Sequence, residues 1–113
     1  MKINNQTFTK VPDGIYLAQI NCFKKGLSSF GIDIKWVFTI VDGAYKEKEV
    51  LGLTDPKPKN PRKFKRWLKP FDLVPTDVWD NDKCEQTSQS PVGQHCQIFV
   101  FNGYVKEIVA GEL

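Results

Sequence analysis

Alternating apolar and polar residues mark a long strand in the middle of the chain. Apolar side chains occupy every second position from 30 to 40, namely Phe30, Ile32, Ile34, Trp36, Phe38 and Ile40. Because alternate residues of a strand point to opposite faces, the pattern predicts one buried face. Asp42-Gly43 follows, and glycine accepts the positive φ of a tight turn, which predicts a hairpin. The returning strand is expected over 44–53, with residues 46–49 exposed to solvent and apolar residues from Val50 onward.

Three further strands are predicted. Pro12-Asp13-Gly14 is a turn signal that starts a first strand over 15–23, whose two faces are both mixed, as in a curved strand that contributes to two parts of a small barrel. Lys24–Ser29 reads as a flexible basic loop. Residues 94–101 alternate again, and Asn102-Gly103 predicts a second hairpin turn before a last strand over 104–109.

One helix is predicted between the third and fourth strands. The Pro-rich residues 54–59 cannot continue a strand, and Asn60-Pro61 is a favoured helix start. Apolar residues then recur at helical spacing at Phe64, Trp67, Leu68 and Phe71. Beyond it, acids surround a short helical turn anchored by Trp79, and a polar loop covers 86–90.

The order strand, strand, strand, helix, strand, strand predicts a mainly β protein, a five-stranded OB-like Greek-key barrel. Another small antiparallel barrel, or a sheet with one helix packed on it, are the alternatives. The 113 residues suffice for one domain with one core, and residues 1–10 are expected to be loose. OB-folds bind ligands across the second and third strands and the nearby loops, so a ligand is expected to bind at these strands.

Composition excludes several classes of protein. Hydrophobic residues make up 41% and charged residues 26%, as in ordinary globular domains, and the net charge of +3 says little about partners. No apolar run reaches the roughly 20 residues of a membrane helix, and no signal peptide is visible, so a cytoplasmic location is expected. The three cysteines are expected to be reduced. Cys22, Cys84, His95 and Cys96 match no common zinc spacing, so neither a metal nor a cofactor is predicted.

The strongest positive patch lies around the predicted helix. The segment between positions 55 and 69 contains seven basic residues and a single acidic residue, Asp55. Lysines and arginines that neutralise phosphates give affinity that does not depend on sequence but depends strongly on salt. The alternatives are the solvated side of an ordinary amphipathic helix and a surface for an acidic protein partner.

Single-strand binding also needs rings on which bases stack. Trp36 is placed in the core by its register, whereas Tyr45 lies past the turn among charged residues, and Phe99 and Phe101 share a face with polar neighbours. Phe23 and Tyr104 are weaker candidates, and Lys106 could extend a basic groove. The predicted nucleic-acid-binding residues are Lys24, Lys25, Lys35, Tyr45, Lys46, Lys48, Arg62, Lys63, Lys65, Arg66, Phe99 and Phe101.

An enzyme is the least favoured class. His95 and Cys96 are adjacent in a strand, so they point to opposite faces and cannot act as base and nucleophile. The acids between 72 and 85 form no calcium-binding loop, and there is no phosphate-cradling glycine loop or serine elbow.

Residues 13–53 contain the segments GIYLAQI, KKG and FGIDIKWVFTIVDGAYKEKEVLGL, with a Gly-x-Tyr first strand and a hairpin of the form aromatic, x, Ile, x, x, Gly, x, Tyr. In these segments the chain resembles a phage family of small proteins of unknown function. That family occurs among replication and recombination genes, which implies an OB-like protein that binds single-stranded DNA in the host cytoplasm. The last residues, 111–113, lack the acidic tail of replicative single-stranded DNA-binding proteins, which argues against partner recruitment of that kind.

The sequence therefore predicts a phage-type protein that binds single-stranded DNA with little sequence preference, in replication or recombination. Replication or recombination proteins and a second copy of the chain are further partners that this hypothesis allows. The alternative is a small interaction protein, an inhibitor or adaptor, that presents its basic helix to an acidic protein surface.

Overall fold

Five strands close into a barrel around the alternating apolar residues of the chain. In the computed structural model, the elements in chain order are β1 (Gly14–Ser28), β2 (Gly31–Ile40), β3 (Glu49–Thr54), α1 (Pro61–Leu68), a 3₁₀ turn (Lys69–Phe71), α2 (Pro75–Val78), β4 (Trp79–Asp80), β5 (Glu85–Gln86), β6 (His95–Phe101) and β7 (Tyr104–Ala110). None of the described helices is long and apolar enough to cross a membrane.

The structure describes residues 11–28, 31–54, 61–80 and 82–110. Five parts of the sequence-based prediction lie outside these ranges: the loose segment 1–10, the start of the alternating pattern at Phe30, the Pro-rich residues 55–59, the helix start at Asn60, and the last residues 111–113.

The strands are ordered β1-β2-β3-β7-β6 around the closed barrel. Neighbours are antiparallel except β3 and β7, which pair in parallel through Leu51 and Tyr104. The predicted fold class, a mainly β chain with a five-stranded OB-like barrel, is confirmed. A two-stranded sheet of β4 and β5 is added in the region that was expected to be turn and loop.

The mixed faces of β1 are explained by a β-bulge. The register with β2 shifts between Ile20 and Cys22, so the buried side chains change from Ala18 and Ile20 to Phe23. The strand pairs with β6 over 14–19 and with β2 over 18–28, as expected of a curved strand that serves two parts of the barrel. The prediction of a flexible basic loop from Lys24 was wrong for 24–28, because backbone pairing with β2 keeps these residues extended.

The predicted hairpin between β2 and β3 is present, but the loop that connects the two strands is longer than predicted. Ile34, Trp36, Phe38 and Ile40 are buried as predicted. The connection spans residues 41–48 instead of a two-residue turn, with positive φ at both Gly43 and Glu47. The Glu47 amide donates to the Ile40 carbonyl at 2.7 Å, which closes the loop. Val50 is the first fully buried residue after the loop, and the strand begins one residue earlier, at Glu49.

Helix α1 inserts its rings among the inward-facing residues of the barrel strands. Trp67 meets Trp36 and Phe38 edge-on, with ring centroids 5.3 Å and 5.8 Å away. Gly52 makes this approach possible, because a Cβ there would lie 2.7 Å from the Trp67 ring. Trp36 donates its indole N–H to the Thr54 hydroxyl at 2.8 Å, which satisfies a buried donor.

Candidate nucleic-acid interface

Outward-facing residues of the five barrel strands form one row that runs around the closed barrel. Lys24 of β1 pairs with Lys35 of β2, and Lys35 pairs with Leu53 of β3. Two residues earlier on the same face of β3, Leu51 pairs with Tyr104 of β7, and Tyr104 pairs with Phe101 of β6. We call this row the outer strip: Lys24, Lys35, Leu51, Leu53, Tyr104 and Phe101.

The outer strip faces away from the core because each strand buries the alternate residues. In β3 the buried positions are Val50, Gly52 and Thr54, which leaves Leu51 and Leu53 outside. Leu53 is 42% exposed, Phe101 49% and Tyr104 55%. Large apolar side chains with this exposure, grouped next to lysines, mark a surface suited to binding.

At one end of the outer strip, two rings lie beside a lysine. Phe99 and Phe101 have ring centroids 6.5 Å apart and are tilted by 40°. The Lys106 ammonium lies over the Phe101 ring, 5.6 Å from its centroid. A half-exposed ring with a cation on one side can stack a base while the cation meets a phosphate.

At the other end, two lysines are directly opposite each other. Cross-strand partners on one face have Cβ atoms roughly 4.5–5.5 Å apart, so Lys24 and Lys35 repel one another. Lys25 is the next residue of β1 and is also exposed. An anion lying between Lys24 and Lys35 would relieve their repulsion, so this end of the strip suits a phosphate.

The basic face of α1 is less available than the sequence indicated. Arg62 and Lys65 are exposed, but Arg66 forms a two-pronged ion pair with Glu107 of β7. Its Nε donates to Oε1 at 3.0 Å and its Nη2 to Oε2 at 2.6 Å. Lys63 lies over the Trp67 ring, 5.0 Å from the centroid. Two of the four predicted helix cations are therefore already engaged within the protein.

The remaining predicted residues lie in the loop after β2. Tyr45 is half-buried and meets Tyr16 edge-on, with ring centroids 6.0 Å apart. Lys46 and Lys48 are exposed beside it. Lys35 lies five residues before the end of β2, roughly 17 Å along the strand, so the structure does not bring this loop together with the lysine end of the outer strip.

Sequence reasoning underrated some residues and overrated others. Tyr104, a weaker candidate, is more exposed than Phe101, and Leu53 was not considered. In the sequence, the exposure of Phe101 and Tyr104 is indicated by their position on either side of the Asn102-Gly103 turn, where a strand side chain is least covered. Phe23, the other weak candidate, is 3% exposed and packs edge-on against Trp36, because the bulge turns it inward.

His95 and Cys96 lie on opposite sides of β6, as their adjacency predicts. His95 is exposed and Cys96 is buried, and burial raises the pKa of the Cys96 thiol to about 12. That thiol is neutral near pH 7 and enclosed in the core, so it is not placed as a nucleophile. Among the described residues, no group of three or more His, Cys, Asp or Glu side chains is arranged to hold a metal ion.

The chain was compared with protein-family models, curated proteins and solved structures, and none of them matches it. The phage-family resemblance of residues 13–53 therefore stays a prediction.

Proposed function

We propose that this protein binds single-stranded DNA with little sequence preference, and that the strand lies along the outer strip. The observation that carries the proposal is the presence of two half-exposed rings, Phe101 and Tyr104, in the same row as two opposed lysines, Lys24 and Lys35. Single strands need both kinds of contact, because bases stack on rings while phosphates are neutralised by cations.

The rings and lysines of the outer strip, together with the neighbouring Lys106, have distinct roles in this mechanism. Phe101 and Tyr104 offer flat surfaces to two bases, and every base has such a surface, so the contact tolerates any sequence. Lys24, Lys35 and Lys106 release counterions from the phosphates. Along the curved outer surface of the barrel, the four steps between neighbouring strands cover a path of roughly 19 Å at about 4.8 Å each, which suits a short stretch of nucleotides.

The proposed biological setting is phage replication or recombination in the host cytoplasm. It rests on the resemblance of residues 13–53 to small phage proteins, combined with an OB-like barrel. Binding without sequence preference fits a protein that covers transient single strands, and partner proteins of replication or recombination would act on the covered strand.

The second candidate is an interaction protein that binds an acidic protein surface. One observation favours it: Arg62 and Lys65 are exposed on α1, apart from the residues that form the outer strip. Such a partner would contact Arg62 and Lys65 and would not need Phe101 or Tyr104.

Binding can be tested by fluorescence anisotropy of a labelled oligothymidine over a series of salt concentrations. Intrinsic fluorescence is a poor probe, because Trp36, Trp67 and Trp79 are all buried. Three lysine contacts predict that log K falls with log salt with a slope near −2, at about 0.7 per contact. A DNA duplex of equal length should bind more weakly, since its bases are stacked and cannot reach the rings.

The matched variants are Lys24→Gln in the outer strip and Lys83→Gln in the turn between β4 and β5, where the lysine is also exposed. Both remove one charge. A weaker, less salt-sensitive complex for Lys24→Gln alone supports the proposal. Equal effects of the two variants, or no binding to oligothymidine at low salt, would refute it, and binding to an acidic peptide that depends on Arg62 and Lys65 would favour the second candidate.

A further inference from the structure

Three cations and one carboxylate lie near one another where α1 meets β7. Glu107 accepts two hydrogen bonds from Arg66, at 2.6 Å and 3.0 Å. Lys63 lies one helical turn before Arg66, and Lys106 is the chain neighbour of Glu107. The pKa of Lys63 lies below its ordinary value, mainly because the side chain is partly buried. The charge of Glu107 raises this pKa, and the charges of Arg66 and Lys106 lower it. These four residues form the Glu107 cluster.

The Glu107 cluster has more positive than negative charge. Three cations against one anion leave a formal charge of +2 (3 − 1) at this spot. The Arg66 and Glu107 side chains are 51% and 35% exposed, so water and salt can compete with their ion pair. A planar guanidinium that holds a carboxylate by two bonds holds a phosphate in the same manner.

The Glu107 cluster adjoins the ring end of the outer strip. Glu107 is the cross-strand partner of Phe99, and the Lys106 ammonium lies over Phe101. A strand whose bases stack on Phe101 and Tyr104 would therefore bring a phosphate within reach of the cations that Glu107 occupies.

We propose that Glu107 is a built-in competitor for the phosphate. In the free protein its carboxylate occupies Arg66, and in the complex a phosphate of the bound strand takes its place. Glu107 thus sets the affinity and the salt concentration at which binding is lost. This inference rests on the proposed function, because it needs single-stranded DNA on the outer strip.

The test compares Glu107→Gln with Glu85→Gln, using labelled oligothymidine over a salt series. Both variants remove one negative charge, and Glu85 lies on β5, outside the Glu107 cluster. We expect Glu107→Gln to bind more tightly at low salt and to steepen the slope of log K against log salt by about 0.7, because no displaced carboxylate then takes up a cation when Arg66 contacts the phosphate. Glu85→Gln should leave the slope unchanged.

A double variant, Arg66→Gln with Glu107→Gln, should lose the added slope. If the Arg66–Glu107 pair merely fastens α1 to the barrel, Glu107→Gln will lower the urea midpoint of unfolding and leave the slope as in Glu85→Gln, which overturns the inference while the proposed function stands. If neither the wild type nor Glu107→Gln binds oligothymidine at low salt, both proposals fail.

Discussion

Two groups of aromatic residues lie on opposite sides of the barrel wall. The inner group comprises Phe23, Trp36, Phe38, Phe64 and Trp67, each at most 3% exposed. Its rings meet edge-on or stacked, with centroids 4.9–6.3 Å apart. The outer group comprises Phe99, Phe101 and Tyr104, and two of its rings are about half exposed.

The difference between the groups comes from register and not from residue type. Phe38 and Phe101 are the same amino acid in strands of the same barrel, but one lies on the inward positions and the other on the outward positions. The inner rings find partners in each other and lower the free energy of the fold. The outer rings have few protein partners, so their apolar surface is available to a ligand. Substitutions in the inner group should therefore lower the stability of the fold, and substitutions in the outer group should weaken ligand binding.

The largest effect is expected for Trp67→Ala in the inner group. Trp67 is fully buried between Trp36 and Phe38, so its removal leaves a cavity and should lower the free energy of unfolding by about 3–5 kcal/mol. Urea unfolding followed by circular dichroism measures this. Phe101→Ala, measured in parallel, should change stability by less than about 0.5 kcal/mol. Similar losses for the two variants would contradict the division into groups.

The contact between Gly52 and Trp67 gives the second prediction. In Gly52→Ala the new methyl group would lie 2.7 Å and 2.8 Å from Trp67 ring carbons and 3.2 Å from Phe38. Since the core has no room for it, we expect a loss of about 1–3 kcal/mol in the free energy of unfolding. Trp67→Phe removes the ring atoms that clash.

The double variant Gly52→Ala with Trp67→Phe should therefore be more stable than the sum of the two single losses predicts. If the two losses of stability simply add, the close approach of Trp67 to Gly52 is not what makes Gly52→Ala destabilising. The measurement is the same urea unfolding curve for all four proteins of the cycle.

The outer group gives the third prediction. Phe101→Ala and Tyr104→Ala should each weaken oligothymidine binding by about 1–3 kcal/mol, because each removes a stacking surface. Neither should shift the unfolding midpoint appreciably, since both side chains are about half exposed. Tyr45→Ala, in the loop after β2, is the control and should leave affinity unchanged. An equal loss for Tyr45→Ala would mean that the strand follows a different path.

Sequence periodicity predicted the barrel well and its irregular points poorly. The period of two placed Ile34, Trp36 and Phe38 inside, because a strand side chain has only two faces to choose from. The bulge after Ile20 was visible only as mixed faces of the first strand, and the long loop after Ile40 left no trace in the pattern. Both depend on how β1, β2 and β3 pair with one another, and the pattern within one strand contains no information about its pairing.

The candidate site was predicted only in its parts. Lys24, Lys35 and Phe101 were named from the sequence, but their common row depends on the barrel order β1-β2-β3-β7-β6. The helix cations were overrated, because charge counting cannot reveal that Arg66 meets Glu107, a residue 41 positions away. Which charges are engaged is decided by tertiary contacts.

The smallest effect is expected at the lysine end of the outer strip, where stability and binding should change in opposite directions. Lys24→Gln removes one partner of a like-charge cross-strand pair, so the fold should gain roughly 0.2–1 kcal/mol at low salt. The same change removes one phosphate contact, so the salt slope of oligothymidine binding should fall by about 0.7. Lys83→Gln should do neither. A variant that is less stable as well as weaker in binding would mean that Lys24 supports the fold, and the outer face would then no longer differ from the inner face in the way proposed.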